Sequence, residues 1–194
     1  GKSEKTMKKV YVTWDDVQRQ AQEILRQMHL DDWRPDYIVG ITRGGLTLAN
    51  LLSQYLDVKM YTLDVRLRDG EPVECESNCW MSEEAFGYND TEKTGITGAR
   101  WDIKLRKNIL IFDDINDSGK TMQWIKDDWR SSCFPNEDNA WDSVWGNNVK
   151  FATLMDNVGS AFGDVDYTAM ELDKSERDVW VVFPWEGERD YGNF

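Results

Sequence analysis

The stretch Ile109-Leu110-Ile111-Phe112-Asp113-Asp114-Ile115-Asn116-Asp117-Ser118-Gly119-Lys120-Thr121 constrains the fold more than any other part of this 194-residue chain. Four consecutive apolar residues without alternation fit a strand covered on both faces, the usual setting of a parallel sheet with helices on each side. Asp113, Asp114 and Asp117 follow at the strand's carboxyl end, and a turn of small residues leads to a helix expected from about Thr121. In open α/β sheets that end faces the ligand crevice, and the unpaired N–H groups opening the next helix attract anions.

Two phosphate- and metal-binding loops are excluded. A P-loop needs glycine where Asp114 stands, and an EF-hand loop starting at Asp114 would need glutamate where Ile125 stands. What remains is a turn from Asp117 to Thr121 that wraps a phosphate. Asp113 and Asp114 then serve another part of the same ligand: hydroxyls, a Mg2+ ion or a developing cation.

The rest of the chain supplies the elements around this strand. Trp14, Val17, Ala21, Ile24, Leu25 and Met28 recur at helical spacing, with Thr13 and Asp16 in a capping-box pattern. "RPDYIVGI" reads as a short buried strand, since Pro35 disfavours helix before it and Ile38, Val39 and Ile41 are β-branched. After the turn "TRGG", Leu46, Ala49, Leu52, Tyr55 and Leu56 define a second helix, and "VKMYTLDV" is another strand, making a right-handed βαβ unit. Residues 66–107 break the pattern and are expected to form a mobile flap or small hood. Beyond "NILIFDD", Met122, Ile125 and Trp129 share a helix face, "FPNEDNAWDSVWGNN" is a loop, "VKFATLM" a fourth strand and "DVWVVFPW" a last strand ending at Pro184. The expected fold is α/β: a mostly parallel, five-stranded Rossmann-like sheet flanked by helices, in a single domain 1–194 carrying the hood.

A formal net charge of −13, from 36 acidic and 23 basic residues, repels nucleic acid and anionic membrane, so an anionic ligand must be captured locally. No apolar run reaches the roughly 18 residues of a membrane span, and the basic residues near the start lead into no apolar signal segment. A cytoplasmic protein is expected, with neither nucleic acid nor membrane as partner. Cys75, Cys79 and Cys133 cannot all pair, and Cys75 and Cys79 lack the CxxC spacing, so reduced structural thiols are expected.

The run from Ile109 to Thr121 resembles the signature of the type I phosphoribosyltransferases: four apolar residues, two acidic ones, and a turn D-[ST]-G-x-T. The resemblance implies that Asp113 and Asp114 hold the ribose hydroxyls of phosphoribosyl pyrophosphate and its Mg2+. It implies that Asp117, Ser118, Gly119, Lys120 and Thr121 cradle the 5-phosphate, with Asp117 also near the purine imidazole as general base or proton acceptor. "VGITRGGLTLANLLS" resembles the family's pyrophosphate loop, which implies Thr42, Arg43 and Gly44 at the leaving group and a cis Thr42–Arg43 peptide.

"KFATLMDN" followed by "VWVVFPWE" resembles the 6-oxopurine branch of the family. By that match Trp180 and Val181 pack on the base and Glu186 lies near base and metal, while Trp185 is expected in core packing. The sequence departs from the pattern twice. Asn157 stands where the branch has a lysine that donates to the purine 6-oxygen; an amide can donate there, but without charge. The flap's Ser-Tyr pair has no clean counterpart, with Tyr88 or Ser82 as the candidate substitute. The resemblance as a whole implies a Mg2+-dependent transferase of purine salvage, acting on phosphoribosyl pyrophosphate and a purine base as a homodimer or homotetramer. The alternative is a regulator or nucleotide-binding protein of the same fold with little transferase activity.

Overall fold

Strands with apolar residues on both faces alternate with amphipathic helices through most of the chain, and the computed structural model, which describes residues 8–88, 102–174 and 178–186, shows the sheet this produces. The elements are β1 (Lys8–Tyr11), α1 (Trp14–Leu30), β2 (Tyr37–Ile41), α2 (Thr42–Leu56), β3 (Lys59–Leu63), β4 (Val65–Arg68), β5 (Glu71–Cys75), α3 (Cys79–Phe86), β6 (Ile109–Asn116), α4 (Lys120–Ser132), α5 (Asp138–Trp141), β7 (Val149–Asn157), β8 (Tyr167–Leu172) and β9 (Val179–Val182). A five-stranded sheet runs in the order β3-β2-β6-β7-β8, with every pairing parallel.

Each face of this sheet carries its own core. Ile38, Leu110, Phe112, Ala152 and Leu154 meet Val17, Ala21 and Ile24 of α1 and Leu48, Ala49 and Leu52 of α2. Val39, Ile41, Ile111 and Phe151 point the other way, against Met122, Ile125 and Trp129 of α4 and Met81, Ala85 and Phe86 of α3. Adjacent residues of one strand therefore serve opposite cores, which is why β2 and β6 read as unbroken apolar runs. The capping box is present: Thr13 Oγ1 accepts from Asp16 N at 3.1 Å, and Thr13 N donates to Asp16 at 2.9 Å. A buried cation, Lys150 of β7, donates to Asp31 at 2.6 Å and to the Tyr167 hydroxyl at 3.1 Å, fastening the end of α1 to the sheet.

Three expectations need correction. The fifth strand of the sheet is β8, which the sequence reading left out, while β9 pairs in parallel with β1 in a separate two-stranded sheet. "TRGG" is not a turn before the second helix but the first turn of α2 itself. The cysteines are not three free thiols: Cys79, opening α3, and Cys133, capping α4, form a disulfide across 54 residues, with Cys75 left free. Sequence spacing could not show a pair that only the packing of α3 on α4 brings together.

Within the expected hood, β4 and β5 form a hairpin around Asp69 and Gly70, both with positive φ (52° and 82°). That is the backbone of a two-residue type I′ turn, for which Asp-Gly is a preferred pair. Ser82 is fully buried on α3 and donates to the Cys79 carbonyl at 2.8 Å, and Tyr88 packs against the core beside α4. Part of the expected hood, residues 89–101, falls outside the described residues.

Candidate functional site

β6 outlasts its neighbour β2. Their pairing ends at Gly40 and Phe112, but β6 continues to Asn116 against β7. Asp113 and Asp114 thus lie within a strand and at the edge of the gap that β2 leaves open. Gly44 and Gly45 of α2 close over them: a Cβ on Gly44 would stand 2.0 Å from Asp114 Oδ2, and one on Gly45 would stand 2.7 Å from the Phe112 carbonyl oxygen. The glycines of "TRGG" are required by this close approach of helix to strand. Thr42 and Arg43 begin the same helix; their side chains, and the expected cis bond between them, lie outside the described residues.

The acidic pair is preorganised. Asp113 is buried and accepts from Asp114 N at 2.8 Å, and Asp114 accepts from Ile115 N at 2.8 Å. Burial pushes the Asp114 carboxyl above the usual carboxylate range, against hydrogen bonds that pull it down. The imposed Cβ of Gly44 would also lie 3.0 Å from the indole nitrogen of Trp185, so Trp185 converges on Asp114. That indole N–H is buried and makes no hydrogen bond of good geometry, yet it faces the carboxylate closely enough to favour its charge. Trp185 therefore both packs, stacked on Phe183 and edge-on to Trp14, and reaches the site.

Two carboxylates offer oxygen ligands suited to Mg2+, which binds through one or two carboxylates and completes its shell with water and substrate phosphates. The residues fit such an ion: a desolvated carboxylate such as Asp114 gains from a nearby cation. Among the described residues no group of three or more His, Cys, Asp or Glu side chains forms a complete metal cage.

Past Asn116 the chain turns through Asp117 and Ser118, both exposed, to Gly119 at φ 86°. A side chain at Gly119 would be strained by that φ and would also stand 2.5 Å from Phe162 N. Helix α4 starts at Lys120 with no cap from Gly119; Ser118 Oγ accepts from Lys120 N at 3.3 Å, and the N–H groups that follow in the first turn are the ones left to an anion. The tip of the β4–β5 hairpin reaches this turn: a Cβ on Gly70 would lie 3.3 Å from Lys120 Nζ. Thr121 follows in the first turn of α4.

Behind the turn, Asn116 donates to Asp156 at 2.8 Å, Ser160 at 2.9 Å and the Phe162 carbonyl at 3.0 Å, fixing the loop after β7. Asn157 is buried, and its amide is committed to main chain: Nδ2 donates to the Asp117 carbonyl at 3.0 Å, while Oδ1 accepts from Gly159 N and Lys174 N, each at 3.3 Å. These bonds give the amide a role in shaping the loop. The cation beside Asp117 comes from elsewhere, since Lys174 Nζ lies 2.8 Å from Asp117 Oδ2. Sequence reasoning missed Lys174, and no local motif announces it.

On β9, Trp180 is exposed and Val181 buried. Glu186 closes the turn that follows, accepting from Phe183 N at 3.1 Å and returning its own N–H to the Phe183 carbonyl at 3.0 Å. On the other side of the acidic pair, a polar cavity of about 490 Å3 opens at the carboxyl ends of β2 and β3, lined by Gly40, Thr62, Asp64, Arg66 and Glu76 among others.

A parallel sheet, an acidic pair at a strand end and an anion-seeking turn beside it define a nucleotide- or sugar-phosphate-handling α/β protein. The family model described as "Phosphoribosyl transferase domain" matches residues 11–191, and the chain belongs to that family. It is 26% identical to the xanthine-guanine phosphoribosyltransferase of Cereibacter sphaeroides, with 93% of this chain and 89% of that one covered. The corresponding protein of Roseobacter denitrificans is 25% identical, covering 93% and 87%. Among solved structures, a purine phosphoribosyltransferase from Pyrococcus horikoshii superposes with a TM-score of 0.61 at 26% identity, covering 96% of this chain and 100% of that one.

Proposed function

We propose that the chain transfers the 5-phosphoribosyl group from phosphoribosyl pyrophosphate to a purine base, a 6-oxopurine, and releases pyrophosphate. The observation that carries this reading is the juxtaposition of the Asp113–Asp114 pair with the start of α4 beyond Gly119. Those two features suit the ribose hydroxyls and the 5-phosphate of one ligand. The names of the relatives, which are purine enzymes, support the choice of base.

In the reaction a ring nitrogen of the base bonds to the anomeric carbon as the bond to pyrophosphate breaks, with its electron pair leaving on the pyrophosphate. Asp113 and Asp114 lie where their charge favours the positive ribose of the transition state, already oriented by main-chain N–H groups. Asp117 accepts the proton that the base loses. The turn from Asp117 to Thr121 holds the 5-phosphate, and α2 with Arg43 and Gly44 borders the leaving group. Trp180 offers a face for the base, with Val181 and Glu186 supporting the wall around it. Mg2+ at Asp113 and Asp114 would supply charge neutralisation to the pyrophosphate.

The test is incubation with phosphoribosyl pyrophosphate, Mg2+ and, separately, hypoxanthine, guanine, xanthine and adenine, following nucleotide and pyrophosphate. Nucleotide formation from an oxopurine is expected. Tight phosphoribosyl pyrophosphate binding with no transfer to any base would instead identify a regulator or binding protein built on this site.

A further inference from the structure

The segment from β4 to α3 lies along α4 as a strap. Its hairpin tip meets the first residue of that helix, where a Cβ on Gly70 would stand 3.3 Å from Lys120 Nζ. Further along, the Trp129 indole N–H donates to the Ser77 carbonyl at 2.9 Å, and the Ser77 hydroxyl donates to Asp128 at 3.3 Å. At the far end of α4, Cys79 is joined to Cys133. Val65, Met81 and Ala85 of the strap share the apolar core of Met122, Ile125 and Trp129. The chain closed by the bridge holds β6, the Asp113–Asp114 pair and the whole turn from Asp117 to Thr121. The bridge therefore fastens the strap to the helix whose other end carries the anion-seeking turn.

We propose that the Cys79–Cys133 bridge is a redox switch on ligand affinity. Oxidised, it keeps the strap along α4 and the hairpin tip against Lys120; reduced by a dithiol, it lets the strap lift, and phosphoribosyl pyrophosphate binds more weakly. The choice of ligand rests on the transferase reading. The bridge confines Ser77 and the hairpin beside α4, so their contacts re-form without a fresh search; without it, two hydrogen bonds, each modest, and the apolar contacts hold the strap alone. Attack falls on Cys79, which is partly exposed, whereas Cys133 is 2% exposed. One thiolate of the dithiol bonds to the Cys79 sulfur as the S–S bond breaks, and the electron pair leaves on Cys133, which takes a proton. The second thiolate then attacks the mixed disulfide and releases Cys79 as a thiol. Two electrons and two protons have passed, and the reductant is left as a disulfide. Cys75 does not supply that second thiol, because its Sγ is turned to the Arg66 carbonyl at 3.4 Å within the hairpin.

The test compares the oxidised parent, the parent reduced with dithiothreitol, and Cys79→Ser combined with Cys133→Ser, each well below its melting temperature. Titration calorimetry reads phosphoribosyl pyrophosphate binding with Mg2+, and trypsin reads the strap through cleavage after Arg66 and Arg68, both exposed on the hairpin. Reduction is expected to weaken binding about fivefold or more, within the usual range of coupling between sites. It is also expected to hasten hairpin cleavage while cleavage after Lys126, whose side chain is 13% exposed, stays slow. The double variant is expected to match the reduced parent with or without dithiothreitol. Equal affinity in the two redox states, or cleavage that rises as much at Lys126 as in the hairpin, would overturn the switch and leave the transferase reading intact. A parent that binds no phosphoribosyl pyrophosphate in either state would overturn both.

Discussion

Gly44 and Asp114 meet with no room for a methyl group between them: a Cβ on Gly44 would lie 2.0 Å from Asp114 Oδ2 and 2.7 Å from its Cγ. The carboxylate cannot move freely aside, since it accepts from Ile115 N and faces Trp185. Gly44→Ala is therefore expected to displace Asp114 and weaken phosphoribosyl pyrophosphate binding about tenfold or more, the scale of one charge-assisted hydrogen bond. Titration calorimetry with Mg2+ present reads the change directly. Parental affinity in this variant would show that the position of Asp114 is not what the ligand needs.

Asp114→Asn separates binding from stability. The carboxyl is raised by burial, so its protonated form is favoured by folding; the stabilisation exists at low pH and is lost as pH rises through the folded value. The neutral amide avoids that loss. With EDTA and no ligand, Asp114→Asn is expected to melt at or above the parent temperature at neutral pH, while binding phosphoribosyl pyrophosphate with Mg2+ more weakly. A variant that loses stability and keeps binding would contradict both halves.

A partly buried carboxylate gives a pH signature far from the acidic pair. Burial raises Asp166 to about 6, against a hydrogen bond from Phe151 N and the charge of Lys150. Its contribution to stability is full below about pH 4, the unfolded value, and falls as pH rises through the folded one. Asp166→Asn keeps an acceptor for Phe151 N and removes the titration. Melting temperatures of the parent minus the variant should fall between about pH 4 and pH 7; a flat difference would refute the effect.

The Cys79–Cys133 bridge closes a long loop from the start of α3 to the end of α4. Cys79→Ser is expected to lower stability by about 2–4 kcal/mol through the freer unfolded chain. Denaturant unfolding with and without dithiothreitol checks it: the reductant should destabilise the parent and leave Cys79→Ser unchanged.

The acidic pair and its turn were legible in the sequence because β6 is buried on both faces and announces itself by an unbroken apolar run ending at the carboxylates. β8 was not. As an edge strand it carries Thr168, Met170 and Glu171, with Met170 and Glu171 exposed, so burial writes little pattern into it. Missing β8 also hid Lys174, whose approach to Asp117 depends on β8 lying beside β7 and on Asn157 joining the two loops. Asn157 itself was legible as an unusual residue, but its partners are main-chain groups of residues 117, 159 and 174, which no side-chain motif encodes. The role of the small residues in "TRGG" was visible only as family pattern until the distance from Gly44 to Asp114 supplied its steric cause.

The pairing of β1 with β9 makes the first described strand a structural neighbour of the wall proposed for the base, with Lys9 opposite Trp180 and Val10 opposite Val181. An affinity tag or a shortened start that disturbs Lys8–Tyr11 would loosen β9 and the aromatic face it presents. The choice of where an expressed polypeptide begins is thus also a choice about how firmly Trp180 is held, and assays of base preference made with differently begun chains would not be interchangeable.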